Sequence, residues 1–134
     1  MLKGPSASTS GITLRGTTVL LVEDQLLIAM DAEDMLISLG ARVLTAPSAA
    51  EALSLLDSCE FHFAVLDVML GRGTSLAIAE ELDKRGIAYV FATGYAGTTS
   101  IPEEFRAKPI VHKPYDKRAL EDALLKASAQ SRPA

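Results

Sequence analysis

The chain has 134 residues, of which 49% are apolar, and its 13 Lys and Arg against 17 Asp and Glu give a net charge of −4. That is enough chain for one domain with a real core and too little for two ordinary ones. The lack of a basic run argues against nucleic acid, the strand-sized apolar stretches argue against a membrane span, and a lone cysteine, Cys59, rules out an internal disulfide and fits a reducing, cytoplasmic setting.

The opening "MLKGPSASTSG" is rich in Gly, Ser and Pro and has no apolar centre, so residues 1–15 read as a disordered tail and not as a signal peptide. "TTVLLV" (Thr17–Val22) has no polar interruption, as expected of a strand covered on both faces. In "EDQLLIAMDAEDMLISLG", Ile28, Ala32, Met35, Leu36 and Leu39 recur at helical spacing, and Gly40 can take the left-handed turn that ends the helix. "ARVLTA" is a second strand. Ser48 then stands three residues before Glu51, the spacing of a capping box, and opens a second helix.

"HFAVLDV" (His62–Val68) is a third strand, and "GRG" (Gly71–Gly73) is a flexible loop after it. "TSLAIAEELDKRG" is a helix closed by Lys84, Arg85 and Gly86. "IAYVFA" is a fourth strand. "TGYAGTTSIPEEFRA" carries Gly97, Thr98, Thr99, Ser100, Ile101 and Pro102 and lacks the cooperative length of a stable helix, so only one short turn through Phe105 is expected, within a mobile Gly94–Arg106 loop. "PIVHKP" holds a very short fifth strand ended by Pro114. Leu120, Ala123, Leu124 and Ala127 mark the inner face of a last helix, and residues 131–134 fray. Strands alternating with helices predict a parallel sheet with helices on both faces, and ligands in such folds bind at the carboxyl ends of strands.

Polar residues gather at those ends. The first strand ends in Glu23 and Asp24, the third at Asp67, the fourth at Thr93 and the fifth at Lys113. Asp67 sits in the apolar run "AVLDVML" because a buried strand delivers it to a polar mouth; a carboxylate left unpaired inside would be very costly. Three carboxylates at one point favour a hard divalent cation such as Mg²⁺, and Lys113 offsets part of the remaining charge. A carboxylate nucleophile, a metal, an ammonium and a hydroxyl are the parts needed to place a phosphoryl group on Asp67.

With these residues in order, the sequence resembles a bacterial response-regulator receiver domain over about Gly16–Ala129, with residues 16–130 as the domain. The resemblance implies a flavodoxin-like, doubly wound five-stranded parallel sheet of order 2-1-3-4-5, its fourth helix short or disordered. It also implies Asp67 as phosphoacceptor, Lys113 and Thr93 as catalytic groups, and Glu23, Asp24, Asp67 and the backbone carbonyl of Met69 as the Mg²⁺ site. The Lys113–Pro114 bond is expected to be cis. "YVFATGY" and "DVMLGRGTS" further resemble the FAT GUY subgroup, often stand-alone proteins that work with histidine kinases of the HWE type. The expected role is phosphoacceptor in a two-component phosphorelay, taking phosphate from a histidine kinase or phosphotransfer protein. Its output is contact with a downstream protein, or it drains phosphate as a sink.

Two departures from the family stand out. Ile110 occupies the place of the usual aromatic switch, and "GRG" replaces the proline after the acceptor loop. Met69 and Tyr95 hold the positions that flank the path of attacking water in the family; Tyr95 also reads as plain surface. Met69 cannot transfer a proton, which disfavours a phosphatase with an aspartyl-phosphate intermediate, so the chain is read as catalysing only its own phosphorylation and dephosphorylation. A phosphorylation-independent adaptor is the remaining alternative. His62 and His112 are too few and too separated for a metal site, Cys59 reads as a small hydrophobe or a quiet thiol, and "EELDKR" is a solvated helix face.

Overall fold

The uninterrupted apolar run after Thr17 becomes β1, Thr18–Val22, in a computed structural model that describes residues 14–70, 73–94, 101–105 and 107–131. It is flanked in parallel on both sides, by β2 (Arg42–Ala46) and by β3 (Phe63–Asp67). β3 in turn pairs with β6 (Ala88–Thr93), and β6 with β7 (Ile110–His112). The five-stranded order is β2-β1-β3-β6-β7, the doubly wound order the sequence predicts. Central strands lie between two helical layers, which is why they tolerate no polar residue until their carboxyl ends.

Side chains alternate between the two faces. Val19, Leu21, Val65 and Val90 face α1 (Leu26–Ser38) and α4 (Lys117–Ser131), while Leu20, Val22, Leu66 and Phe91 face α2 (Ala49–Ser58) and α3 (Leu76–Arg85). Leu120, Ala123, Leu124 and Ala127 are all buried, as their spacing predicts. Ser48 caps α2 by accepting the Glu51 amide at 3.2 Å, and Gly86 ends α3 in the left-handed conformation at φ +69°.

Several local expectations need correction. Leu14 is buried, and its amide donates to the Leu39 carbonyl at 3.0 Å, so the described packing includes the last residues of the expected tail, whose residues 1–13 lie outside the described residues. The polar residues before it masked this single core contact. On α1 the sheet is met by Ala29, Ala32, Leu36 and Leu39, while Ile28 and Met35 are only half-buried. Leu26, Leu27, Met30 and Ile37 stand exposed on the outer side.

After β3 the chain forms an antiparallel pair, β4 (Met69–Leu70) and β5 (Gly73–Thr74), where an open loop was expected. Gly71 and Arg72 lie outside the described residues. Among the described residues between β6 and β7 stands a 3₁₀ turn, Glu103–Phe105, held by the Phe105 amide donating to the Pro102 carbonyl at 2.9 Å. Of the Gly94–Arg106 loop expected to be mobile, residues 95–100 and 106 are outside the described residues. Ile101 and Phe105 are buried on the core, Phe105 edge-to-face with Phe91 at 6.2 Å, so that part of the segment is anchored. The boundaries proposed at the carboxyl end, 131–134, fall almost wholly outside the described residues. Among those described, no helix is long and apolar enough to cross a membrane.

Candidate functional site

Four strands end at one edge of the sheet, and each delivers a polar residue there. β1 runs directly into Glu23 and Asp24, β3 ends on Asp67, β6 ends on Thr93, and β7 runs into Lys113. The register makes them converge. Val22 pairs with Leu66, Asp67 with Ala92, and Thr93 with His112, so the ends are level across the sheet. Asp24, Asp67, Met69, Thr93 and Lys113 line one open cavity of about 430 Å³.

Three of the predicted residues are buried: Glu23 at 3% exposure, Asp67 at 7% and Thr93 at 2%. Lys113 compensates the buried acids. Its Nζ lies 2.9 Å from Glu23 Oε1 and 3.0 Å from Asp67 Oδ2, bridging both. Glu23 also accepts the Gln25 amide through Oε2 at 3.1 Å, and Asp67 Oδ1 accepts the Met69 amide at 3.4 Å. Thr93 Oγ1 donates to the Gly94 carbonyl at 3.3 Å, and the Lys113 amide donates to the Thr93 carbonyl at 2.8 Å. The Lys113–Pro114 peptide is cis, as expected.

Electrostatics follow from this packing. Burial pushes Asp67 up from 3.8 to about 6, aided by the Glu23 charge and opposed by Lys113. Burial works to lower Lys113, but hydrogen bonds and charges from Glu23 and Asp67 outweigh it and hold the group above its ordinary value. Lys113 is therefore a fixed ammonium, and Asp67 is a carboxylate that is ionised at neutral pH yet more basic than usual.

Glu23, Asp24 and Asp67 can each offer an oxygen, all within 4.8 Å of one another. Three carboxylates and one ammonium leave a formal charge of −2, which a divalent cation matches. Asp24 is the exposed member of the triad. Met69 borders the cavity with its side chain outward, 49% exposed. Tyr95 lies outside the described residues. Ile110 is half-buried and pairs across the ladder with Phe91, filling its place as core and offering no ring to move.

His62 Nδ1 accepts the Thr18 amide at 3.0 Å at the far end of the sheet, and His112 and Cys59 are exposed. Two residues near the site escaped the sequence reading, Asp31 and Tyr115. Together with Ile28, Met35, Lys113 and Pro114 they border a second cavity of about 270 Å³ beside the first. The available signal was an aromatic residue directly after the Lys–Pro pair. Burial, followed by the charges of Glu23, Asp67 and Asp31, pushes the Tyr115 phenol up to about 12.

Comparison with known proteins gives a consistent result. The family described as the response regulator receiver domain matches residues 19–125. Among solved structures, SdrG from Sphingomonas melonis Fr1 is 36% identical, with 90% of this chain and 98% of that chain covered at a TM-score of 0.75. The signal receiver domain of a modulated diguanylate cyclase from Desulfovibrio desulfuricans G20 is 25% identical, with 86% and 95% covered at a TM-score of 0.75. A CheY-like receiver domain protein from Methanospirillum hungatei JF-1, 23% identical with 86% and 95% covered and a TM-score of 0.75, shares the fold. No curated protein matches the chain.

Proposed function

The chain belongs to the response regulator receiver family, and from that premise we propose that it accepts a phosphoryl group on Asp67 from a phosphohistidine donor and signals by protein contact. The observation that carries this reading is the double bridge of Lys113 to Glu23 and Asp67 inside an acid triad. A structural ion pair would need only one acid. Here a second buried carboxylate and a third exposed one can each bring an oxygen within 4.8 Å of the others, an expensive arrangement unless the charge serves a ligand.

In the proposed reaction, an Asp67 oxygen attacks the phosphorus in line with the donor's P–N bond. That bond breaks, its electron pair returns to the imidazole nitrogen, and the phosphoryl group remains on Asp67. A carboxylate raised to about 6 is a stronger nucleophile than one near 3.8 and is still ionised at pH 7. The Lys113 ammonium is within reach of the developing negative charge, and Thr93 presents a hydroxyl at the end of the adjacent parallel strand. Asp24, Asp67 and the Met69 carbonyl would hold Mg²⁺, with Glu23 acting through water; when bound, the ion spreads charge on the phosphoryl oxygens. Met69 beside the cavity offers no base, which favours a fairly long-lived phosphoprotein.

The exposed row Leu26, Leu27 and Met30, adjoining the acid mouth on α1, suits a helical donor such as a histidine kinase or phosphotransfer protein. "FATGY" (Phe91–Tyr95) supports membership of the FAT GUY subgroup and, with it, stand-alone action in the cytoplasm with an HWE-type kinase. The test is labelling by acetyl phosphate with Mg²⁺. Wild-type protein gains one phosphoryl group, and Asp67→Asn keeps its fold and gains none. Labelling of the variant at the wild-type level overturns the assignment.

A further inference from the structure

Between α1 and the turn after β7 lies the 270 Å³ cavity bordered by Ile28, Met35, Pro114, Tyr115, Asp31 and Lys113. Its volume falls at the lower edge of small-molecule sites, roughly 300–1,000 Å³. It suits one long side chain better than a cofactor. Most of its wall is apolar, and one carboxylate stands in that wall.

Asp31 is exposed, and among the described residues its carboxylate has no ion pair or hydrogen bond. Lys113 does not neutralise it, because Nζ is committed to Glu23 and Asp67. Tyr115 registers the same negative field, its phenol being raised by burial and then by Glu23, Asp67 and Asp31. Lys113 borders both this groove and the acid mouth, so the groove adjoins the place where a donor would bring phosphate to Asp67.

We propose that the groove receives a long cationic side chain, arginine or lysine, carried by the phosphodonor protein, with its aliphatic stem over Ile28, Met35 and Pro114 and its head on Asp31. An aliphatic or aromatic occupant would strip water from the Asp31 carboxylate without replacing it. An acidic occupant would be repelled by Asp31 and the nearby triad. A cation on a flexible apolar stem satisfies wall and carboxylate together. The identity of the carrier rests on the phosphoacceptor reading; the chemistry of the groove does not.

The full chain can be titrated with N-acetyl-arginine methylamide and with N-acetyl-leucine methylamide, following amide shifts. The arginine probe is expected to shift Ile28, Asp31, Met35 and Tyr115 saturably and to bind more tightly than the leucine probe. Asp31→Asn, an exposed change, should weaken the arginine probe about two- to fivefold. It should leave the leucine probe unchanged, and high salt should remove the difference between the proteins. Equal or tighter binding of the leucine probe overturns the proposal. So does an unaltered arginine affinity in the variant, or arginine shifts confined to Asp24 and Asp67. Acetyl phosphate labelling of both proteins separates the two ideas: loss of labelling in both defeats the phosphoacceptor reading alone, and normal labelling with indifferent probes defeats the groove alone.

Discussion

The Lys113 amide donates to the Thr93 carbonyl at 2.8 Å, so the two residues that flank Asp67 are joined through main chain. Their side chains are thereby independent while their backbones are not. Thr93→Ala should leave the Lys113 bridge in place and slow Asp67 labelling by acetyl phosphate by less than about tenfold, since a neutral donor is lost and the ammonium stays. Lys113→Met removes the ammonium and should slow labelling about 100-fold, the usual cost of losing one charge-stabilising donor. Similar loss in both variants, measured by phosphoprotein mass spectrometry against time, would show that the hydroxyl carries the reaction.

The raised carboxyl of Asp67 makes stability depend on pH. The unfolded group titrates near 3.8 and the folded one near 6. Between these values the folded chain binds more protons, so metal-free stability falls as pH rises through that window and the loss is complete above it. Two units at about 1.4 kcal/mol each set an upper bound of about 3 kcal/mol. Solvent contact at the open mouth and the Lys113 pair reduce this to about 1 kcal/mol. Urea unfolding at pH 5 and pH 8 should show that fall, and Asp67→Asn should flatten it. Mg²⁺ should raise Tm more at pH 8 than at pH 5, because protons compete for the same oxygens.

Met69 stands at the cavity rim, half exposed, with its amide directed at Asp67. If its side chain excludes water from a phosphorylated Asp67, Met69→Asn should speed phosphate loss several-fold by admitting a polar group and its water. The half-life of labelled protein after removal of the donor decides this. An unchanged or longer half-life would show that Met69 does not shield the bond.

Ser75 precedes α3 at its N-cap position, is fully buried, and among the described residues its Oγ has no partner. Its backbone is not extended, so the hydroxyl does not cap the helix as Ser48 caps α2. Removing an unsatisfied buried hydroxyl is neutral or stabilising, by up to about 1 kcal/mol. Ser75→Ala should therefore hold or raise the urea midpoint. A loss of about 1 kcal/mol, the usual cost of a lost cap, would reveal a bond formed in solution.

Much of this was legible in the chain. The three central strands read as apolar runs that end at Glu23, Asp67 and Thr93, and Lys113 is marked by the proline that follows it at the end of the short last strand. Nothing in a linear sequence tells which acid shares the lysine, since the Glu23–Lys113 bridge depends on sheet register. The β4–β5 pair is two residues a side, too short to carry a period. On α1 the helical spacing finds Ala32, Leu36 and Leu39 but overrates Ile28 and Met35 and misses Ala29, because a small residue beside exposed Leu26, Leu27 and Met30 carries little weight in an apolar pattern. Asp31 and Tyr115 meet only across two elements, and one of them follows a proline that reads merely as a stop.

The mouth is assembled from the ends of β1, β3, β6 and β7, and its bridging pair, Glu23 and Lys113, lies ninety positions apart along the chain. Such non-local contacts form late, after loop closure has been achieved for every intervening crossover. A nascent chain still lacking β7 carries Asp67 but no ammonium beside it. On the proposed reading, such a copy would react as slowly as Lys113→Met, so labelling by a phosphodonor would report whether the sheet is finished.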